Sequence, residues 1–513
     1  MSRLRLRNNL IFSAIACLTF VNVFGPTTEA AAPSRRARSG KNVLGHLQEQ
    51  HQRLQDEFAK EIEQLATKCE KKNLHKAARQ VRSQAVEIDT ETLRQESLPT
   101  QVQPEIPLSL PPDERSWRMQ LRHLNQEHAK KLFLLSRRAL KPGYPSYAYQ
   151  LVREVAHFDP DHRYARRVLG YTRQGEEWVT PFAAKMMRRK YVHHEQFGWL
   201  PQSWVSRYEN GERFYKRWMS TDQEAEIRSD FRNAWEVRTE HYLVKTNDSL
   251  ERGVEIANEL EKFHGFFVET FAGFFNTPEQ MGKLFAGNSR SRKTQIRQPY
   301  EVHYFRTRDE YISKLKNKID QIAITDGLYY TGDRVAYFFR EDEVGGSTTS
   351  TLYHEATHQI LYESSSRNRP VATSHHFWII EGIACYMESF RHGNGEFSLG
   401  AADYIRFQNA RDRYLSDRYG QRYYVPLNVF ADMSMRDFQS HPEISANYSQ
   451  AAGLSHFFMH ADEGRYRDAL VRHLTQLYSV DARRREHPQS LEELTGVSYA
   501  EFDRLYGEYL SRW

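Results

Sequence analysis

Cysteine is scarce in this sequence, and neither sign of charge dominates it. Three cysteines occur among 513 residues, which excludes a scaffold held by many disulfides. Lysine and arginine total 72 against 66 aspartate and glutamate residues, so the net charge of +6 is small and spread along the chain. A nucleic-acid-binding protein more often concentrates basic residues on one element. We therefore expect no nucleic-acid partner and a fold stabilised by packing.

Long apolar runs are absent after the N-terminus. Arginines precede an apolar stretch over residues 10–24, and alanines follow at 30–32. This order predicts a signal peptide over residues 1–32 and an exported, periplasmic or extracellular protein with no membrane span after signal removal. The apolar stretch is shorter than the roughly 20 residues of a membrane helix, so an uncleaved anchor is the less favoured alternative. A lipoprotein is disfavoured because the residues after Cys17 remain apolar.

Periodicity and proline content divide the first half of the chain. Residues 33–42 are rich in Arg, Ser and Gly and predict a flexible leader, whereas residues 43–97 carry apolar residues at helical spacing. A proline-rich stretch at 98–112 predicts an extended linker. Residues 113–229 predict a helical module with a short hairpin, for which tetratricopeptide-like repeats and ordinary helix pairs are both open.

The pattern changes near residue 230. Residues 240–246 alternate as a strand does, and Val335–Phe339 predicts a further strand. A mostly helical pattern then runs from Thr348 to the C-terminus. Strands followed by helices indicate an α+β domain over residues 230–513.

One pentapeptide carries most of the chemical information. His354-Glu355-Ala356-Thr357-His358 places two histidines four residues apart, on one face of a helix. Both rings can then bind one metal ion, while Glu355 reaches a water on that ion. The spacing predicts Zn²⁺ as cofactor, His354 and His358 as ligands and Glu355 as catalytic base. Two hydrogen-bonded histidines on a helix surface are the alternative.

A catalytic zinc ion needs a third protein ligand beside the two histidines. Glu381 is an acid inside the apolar helical run that begins at Trp378, where an unpaired carboxylate would be costly. We therefore predict Glu381 as the third ligand. His375 and His376, just before that run, are the weaker alternative.

The segment around Glu381 resembles the third-ligand helix of gluzincins, notably the aminopeptidase N-like family, through Trp378-x-x-Glu381-Gly382-x-Ala384. The resemblance covers roughly residues 300 to 470. It implies a zincin-like metallopeptidase domain in which Glu381 binds zinc. The whole chain also resembles an uncharacterised family of exported bacterial proteins with a peptidase-MA-like core.

Several motifs of known metallopeptidases are missing from the sequence. Leu361 and Ser364 stand where metzincins have Gly and His, so that class is excluded. There is no Gly-x-Met-Glu-Asn segment, with which aminopeptidases hold a free amino terminus, and no Asn-Glu-x-x-Ser-Asp helix of the thermolysin type. The resemblance therefore implies neither exopeptidase action nor thermolysin-like specificity.

Three further features each have two interpretations, and a fourth has one. Tyr448 resembles the tyrosine with which aminopeptidase N-like enzymes stabilise an oxyanion, and is otherwise a packed aromatic. Glu388 either supports a ligand histidine or is a solvated acid. Residues 326–330 either precede an ordinary core strand or form the edge at which zincins bind extended substrate. Cys385 is most simply a buried thiol.

These residues together predict an exported zinc peptidase acting on peptide or protein substrates. Zinc would activate a water and polarise the scissile carbonyl, Glu355 would move the proton, and Tyr448 would hold the oxyanion. The helical front half, residues 43–172, would be a separate docking module. The alternatives are a zinc-binding scaffold without turnover, which the intact Glu355 disfavours, and hydrolysis of a non-peptide amide.

Overall fold

The computed structural model describes residues 43–512 except 86–92, 288–297, 341–346, 366–370 and 418–421. The predicted signal peptide and leader lie outside the described residues. Within these described ranges, no helix combines the length and the apolar character that crossing a bilayer requires. Cys69 and Cys385 are buried and form no disulfide.

Helices with one apolar stripe each build the front of the chain, because leucine, alanine and aromatic residues recur at three- and four-residue steps. The first four contain 29, 8, 29 and 14 residues. Such unequal lengths do not repeat a helix pair of about 34 residues, so the tetratricopeptide alternative is wrong. These helices are α1 (Val43–Lys71), α2 (His75–Arg82), α3 (Pro112–Leu140), α4 (Pro145–Phe158) and α5 (Arg163–Val168).

The front helices share their core with later parts of the chain. The cluster that contains Phe58 and Leu132 also contains Met281 and Phe285, which lie beyond residue 230. A strand within the predicted helical segment 43–97, β1 (Leu93–Glu96), pairs antiparallel with residues 396–399. Buried apolar contacts and backbone pairing thus join the two halves, so the front helices are not structurally separate as expected, and their docking role stays a prediction.

Three two-stranded hairpins, each followed by a short helix, occupy residues 172–228, where the sequence predicts a helical module with one short hairpin. Their strands have only three or four residues, too few for alternation to be visible in the sequence. The elements are β2 (Thr172–Gln174), β3 (Glu177–Val179), α6 (Pro181–Arg188), β4 (Tyr191–His194), β5 (Gly198–Pro201), α7 (Val205–Glu209), β6 (Glu212–Tyr215), β7 (Arg217–Ser220) and α8 (Thr221–Arg228).

A five-stranded sheet among the described residues forms the centre of the second half. Its strands are β8 (Trp235–Arg238), β9 (Tyr242–Thr246), β10 (Tyr300–Phe305), β11 (Gly327–Tyr330) and β12 (Val335–Phe339), in the spatial order β11-β12-β10-β9-β8. The inner strands β9, β10 and β12 are parallel, and the edge strands β8 and β11 are antiparallel to their neighbours. Every residue of β12 is buried, as expected of a strand covered on both faces.

Helices cover this sheet and complete a mixed α and β fold in which helix predominates. The larger core joins the sheet to a long helix before it and to helices after it, and a smaller core lies on the other sheet face. The remaining elements are α9 (Leu250–Thr270), α10 (Ala272–Phe275), α11 (Pro278–Phe285), α12 (Arg308–Leu315), α13 (Ser347–Ser364), α14 (Phe377–Met387), β13 (Arg391–Gly393), β14 (Glu396–Leu399), α15 (Ile405–Leu415), α16 (Leu427–Asp432), α17 (Met435–Gln439), α18 (Ile444–Gly464), α19 (Arg467–Leu477), α20 (Ala482–Glu486), α21 (Leu491–Thr495) and α22 (Tyr499–Leu510).

Candidate metal centre

Two buried helices bring the predicted ligands together. Helix α13 packs its apolar residues into the main core and carries His354 and His358 one turn apart. Helix α14 is buried along its whole length, with Glu381 inside it. Since α14 is apolar on every side, only the protein interior suits it, and Glu381 is buried together with it.

The three predicted ligand atoms form a compact triangle. His354 Nε2 lies 3.2 Å from His358 Nε2 and 3.5 Å from Glu381 Oε2, and His358 Nε2 lies 3.7 Å from the same oxygen. A tetrahedral ion with bonds of about 2.0–2.1 Å holds its ligand atoms about 3.3 Å apart. The triangle has this size, so the described residues can hold a metal ion here.

Buried charge in this triangle favours a cation. Burial raises the pKa of Glu381, but the neighbouring His358 and His354 outweigh that effect and lower the pKa to about 2. Burial lowers the pKa of His354, but its interactions with Cys385, Glu381 and Glu388 outweigh burial and hold the pKa well above its ordinary value. The protonated His354 ring thus supplies positive charge beside Glu381 that a metal ion would replace.

Glu388 supports the candidate ligand His354 and is buried. Its Oε1 accepts a hydrogen bond from His354 Nδ1 at 2.7 Å. Its Oε2 accepts from the Tyr404 hydroxyl at 2.7 Å and from Arg406 Nε. A proton held on Nδ1 leaves the lone pair of Nε2 for a metal. No sequence pattern near the motif indicated Tyr404 or Arg406, because the chain returns to the site only through tertiary folding.

Glu355 has one carboxylate oxygen fixed and one available. It is fully buried, and Oε2 accepts the backbone N–H of Tyr329 at 2.7 Å. No donor among the described residues reaches Oε1. Burial raises the pKa of Glu355, although His354 and His358 oppose the shift. The carboxyl group can therefore accept a proton and give it up again.

Tyr448 lies on α18 and is buried. Its ring packs edge-on against Phe438 with centroids 5.3 Å apart, and its hydroxyl has no hydrogen-bond partner among the described residues. Burial, reinforced by the charge of Glu381, raises the pKa of Tyr448 well above its ordinary value, so the phenol stays protonated. Tyr448 is thus a packed aromatic that also carries an unused donor within the electrostatic reach of Glu381 and Glu355.

His375 and His376 do not join the triangle. His375 Nε2 is hydrogen-bonded to the backbone carbonyl of Glu486 at 3.0 Å. The ring of His376 packs edge-on against His473, with centroids 4.6 Å apart. The structure thus directs both rings toward the α19–α20 region.

Two other groups of described residues have ligand-type atoms close together. The group His354, Cys385 and Glu388 shares a residue with the triangle, and the Arg406 cation already occupies Glu388. In the group His241, Glu261 and His264, both carboxylate oxygens accept from His241 at 2.6 and 2.7 Å. The rings of His241 and His264 stack at 3.9 Å, so their in-plane lone pairs do not converge. We therefore favour the triangle.

Comparison with known proteins identifies one similarity. Residues 348–479 match the model of a family described as "Protein of unknown function (DUF1570)". This stretch holds the three ligand candidates, Glu355 and Tyr448. No curated protein and no solved structure matches the chain. The similarity accords with the resemblance to an uncharacterised family and assigns no activity.

Proposed function

We propose that this protein is a zinc-dependent peptidase with a gluzincin-type site in a zincin-like domain. The observation that carries the proposal is the triangle of His354 Nε2, His358 Nε2 and Glu381 Oε2 with the buried carboxylate of Glu355 beside it. Two imidazoles and one carboxylate form the donor set of catalytic zinc, whereas structural zinc takes four protein ligands. The edge position of β11 next to α13 also agrees with a strand that receives extended substrate.

The roles of the residues follow from their hydrogen bonds. A bound zinc ion would lower the pKa of a water and polarise the scissile carbonyl. Glu355, held through Oε2, takes the proton from the attacking water on Oε1 and passes it to the leaving amine. The Tyr448 hydroxyl donates to the oxyanion as negative charge develops. Glu388 keeps the His354 ring in the tautomer that binds metal through Nε2.

The test replaces Glu355 by glutamine, which has nearly the same shape but cannot act as a base. Glu355→Gln should retain one zinc ion per chain and its melting temperature, because no ligand is lost. Its rate of peptide hydrolysis should fall about a hundredfold or more, the usual scale for a missing general base. Metal analysis and hydrolysis of a peptide library, with acylated arylamides included, are measured on the same preparation.

Matched ligand variants test the metal site itself. Glu381→Ala should lose zinc and His375→Ala should keep it, and the reverse result would show that the third ligand is wrong. Wild-type protein that holds zinc and cleaves neither peptides nor arylamides favours the scaffold alternative. Equal rates for Glu355→Gln and wild type would remove Glu355 from the mechanism.

We also propose that the protein is exported. The basic start, short apolar run and alanine exit over residues 1–32 support this part of the proposal. N-terminal sequencing of the mature protein should begin near residues 31–33. An intact Met1 in the soluble fraction would contradict cleavage.

A further inference from the structure

Strand β11 gives a backbone donor to the candidate base. In its antiparallel pairing with β12, Tyr329 lies opposite Ala336. Backbone groups of such a strand alternate between facing the partner strand and facing away from it. The Tyr329 N–H reaches Glu355 Oε2 at 2.7 Å, so it faces away from β12 and toward α13. The position of β11 relative to α13 therefore sets the orientation of the Glu355 carboxylate.

A buried carboxylate on α13 holds the hairpin in that position. Glu363 lies eight residues after Glu355, and its side chain is only 4% exposed. Its Oε2 accepts from Arg334 Nε at 3.1 Å and from Arg334 Nη2. Its Oε1 accepts from Gln359 Nε2 at 3.0 Å and lies 3.4 Å from the Tyr329 hydroxyl. Glu363 thus connects the turn and the strand of the hairpin to the metal-binding helix.

The backbone of Arg334 supports an anchoring role. Arg334 has φ of 59°, a left-handed conformation that is unfavourable for residues other than glycine. Such a conformation persists where surrounding contacts hold it, and the paired guanidinium supplies such a contact. On the same turn, Asp333 accepts from Lys318, which lies between α12 and β11, and from the Tyr337 hydroxyl on β12. Glu363 therefore ties the turn to α13, and Lys318 does not.

We propose that Arg334 and Glu363 are positioning residues for the base. Their ion pair docks the β11–β12 hairpin on α13, so that the Tyr329 N–H fixes one oxygen of Glu355 and leaves the other for the proton. The catalytic consequence rests on the proposed function. The docking of the Tyr329 amide does not, and it can be measured without any substrate.

The first experiment follows amide hydrogen exchange at single-residue resolution in the full-length protein. The double variant Arg334→Met/Glu363→Gln removes both charges, so no buried charge is left unpaired. Exchange of the Tyr329 amide should accelerate about tenfold or more, while the Leu328 and Tyr330 amides, which face β12, change little. Lys318→Met, which breaks an ion pair on the other side of the same turn, should leave the Tyr329 amide unchanged. The proposal is overturned if the Tyr329 amide exchanges at the wild-type rate in the double variant, or if Lys318→Met accelerates its exchange equally.

The second experiment separates positioning from general stability. With zinc content and melting temperature retained, the double variant should lower kcat about tenfold and leave KM within about twofold, since only the base is misplaced. Arg334→Lys keeps the charge and should restore most of kcat. Should the double variant fail to fold, Arg334→Gln is measured in its place. The positioning role is overturned if kcat is unchanged, or if kcat falls only when zinc is lost as well. A wild-type protein without hydrolytic activity would instead overturn the proposed function. In that case the amide exchange experiment alone decides whether the ion pair docks the hairpin.

Discussion

Three buried polar atoms near the ligand triangle have no hydrogen-bond partner among the described residues. They are Glu381 Oε2, Glu355 Oε1 and the Tyr448 hydroxyl. A buried polar group without a partner costs about 1–3 kcal/mol of stability. They lie on three neighbouring helices, α13, α14 and α18. Under the proposed function, their partners would be a metal ion, a water and a developing negative charge.

Tyr448→Phe tests this view at the residue scale. The change removes only a hydroxyl group that makes no hydrogen bond within the described structure. Stability should therefore stay within about 0.5 kcal/mol of wild type or rise slightly. Under the proposed function, hydrolysis should slow about tenfold to a thousandfold through kcat, because the proposed donor to the oxyanion is lost. Thermal unfolding and steady-state kinetics check both parts, and a variant that is strongly destabilised with unchanged kcat would leave Tyr448 a packing residue.

At the scale of elements, the close crossing of α14 and α18 decides where Glu381 lies. A Cβ atom at Gly382 would stand 2.5 Å from Ser455 Oγ and 2.6 Å from the carbonyl oxygen of Ala451. A carbonyl of the neighbouring helix backbone cannot move aside as a flexible side chain can. Glycine after Glu381, part of the resemblance to gluzincins, therefore has a packing reason in this protein: it lets α18 approach α14, which carries the candidate ligand Glu381.

Gly382→Ala should consequently act on stability and metal binding together. We expect a loss of about 1–3 kcal/mol from overpacking and weaker zinc retention, because α14 must shift with Glu381 on it. Gly265→Ala is the matched control, since Gly265 is also helical and a Cβ there meets nothing within 4 Å. That variant should be neutral or more stable by up to about 1 kcal/mol. Denaturant unfolding and zinc titration of both variants measure the difference, and equal behaviour would refute the packing argument.

For the whole molecule, one partly buried acid joins the front helices to the C-terminal ones. Asp468, at the start of α19, accepts hydrogen bonds from the backbone N–H of Ser146 at 3.1 Å and from its hydroxyl at 2.7 Å, at the start of α4. Burial raises the pKa of Asp468 to about 6. The protonated form of Asp468 is thus favoured in the folded state. The stabilisation that protonated Asp468 provides is therefore full below the ordinary aspartate pKa and is lost as the pH rises through about 6.

Asp468→Asn should therefore stabilise the protein more at high pH than at low pH. Asparagine keeps an oxygen that accepts from Ser146 but cannot ionise. The melting temperature of the variant minus that of wild type should be a few degrees higher at pH 8 than at pH 4. Asp320→Asn, the same substitution at an exposed position, serves as control for the loss of one carboxylate. A difference between Asp468→Asn and wild type that is the same at both pH values would contradict the assignment.

The sequence by itself determined those helices and strands whose periodic pattern can be seen within a few consecutive residues. Val335–Phe339 is a strand with the predicted bounds, and the histidine spacing of α13 holds because helical geometry alone places residues four apart on one face. Glu381 was inferable because an acid in an apolar helix needs a partner. In each of these cases the physical cause, backbone periodicity or the cost of burial, acts on the segment itself.

Tertiary structure alone decided which distant residues meet. Tyr404 and Arg406 reach Glu388, the Tyr329 N–H reaches Glu355, and β1 pairs with β14, although no local pattern in the sequence announces these contacts. Hydrogen bonds between distant segments depend on how the helices and the sheet pack, and a backbone N–H is the same for every residue except proline. The sequence therefore determined the types of the candidate ligands and the helices that carry them. Packing determined which backbone N–H holds Glu355, which side chains hold His354 through Glu388, and how the two halves join.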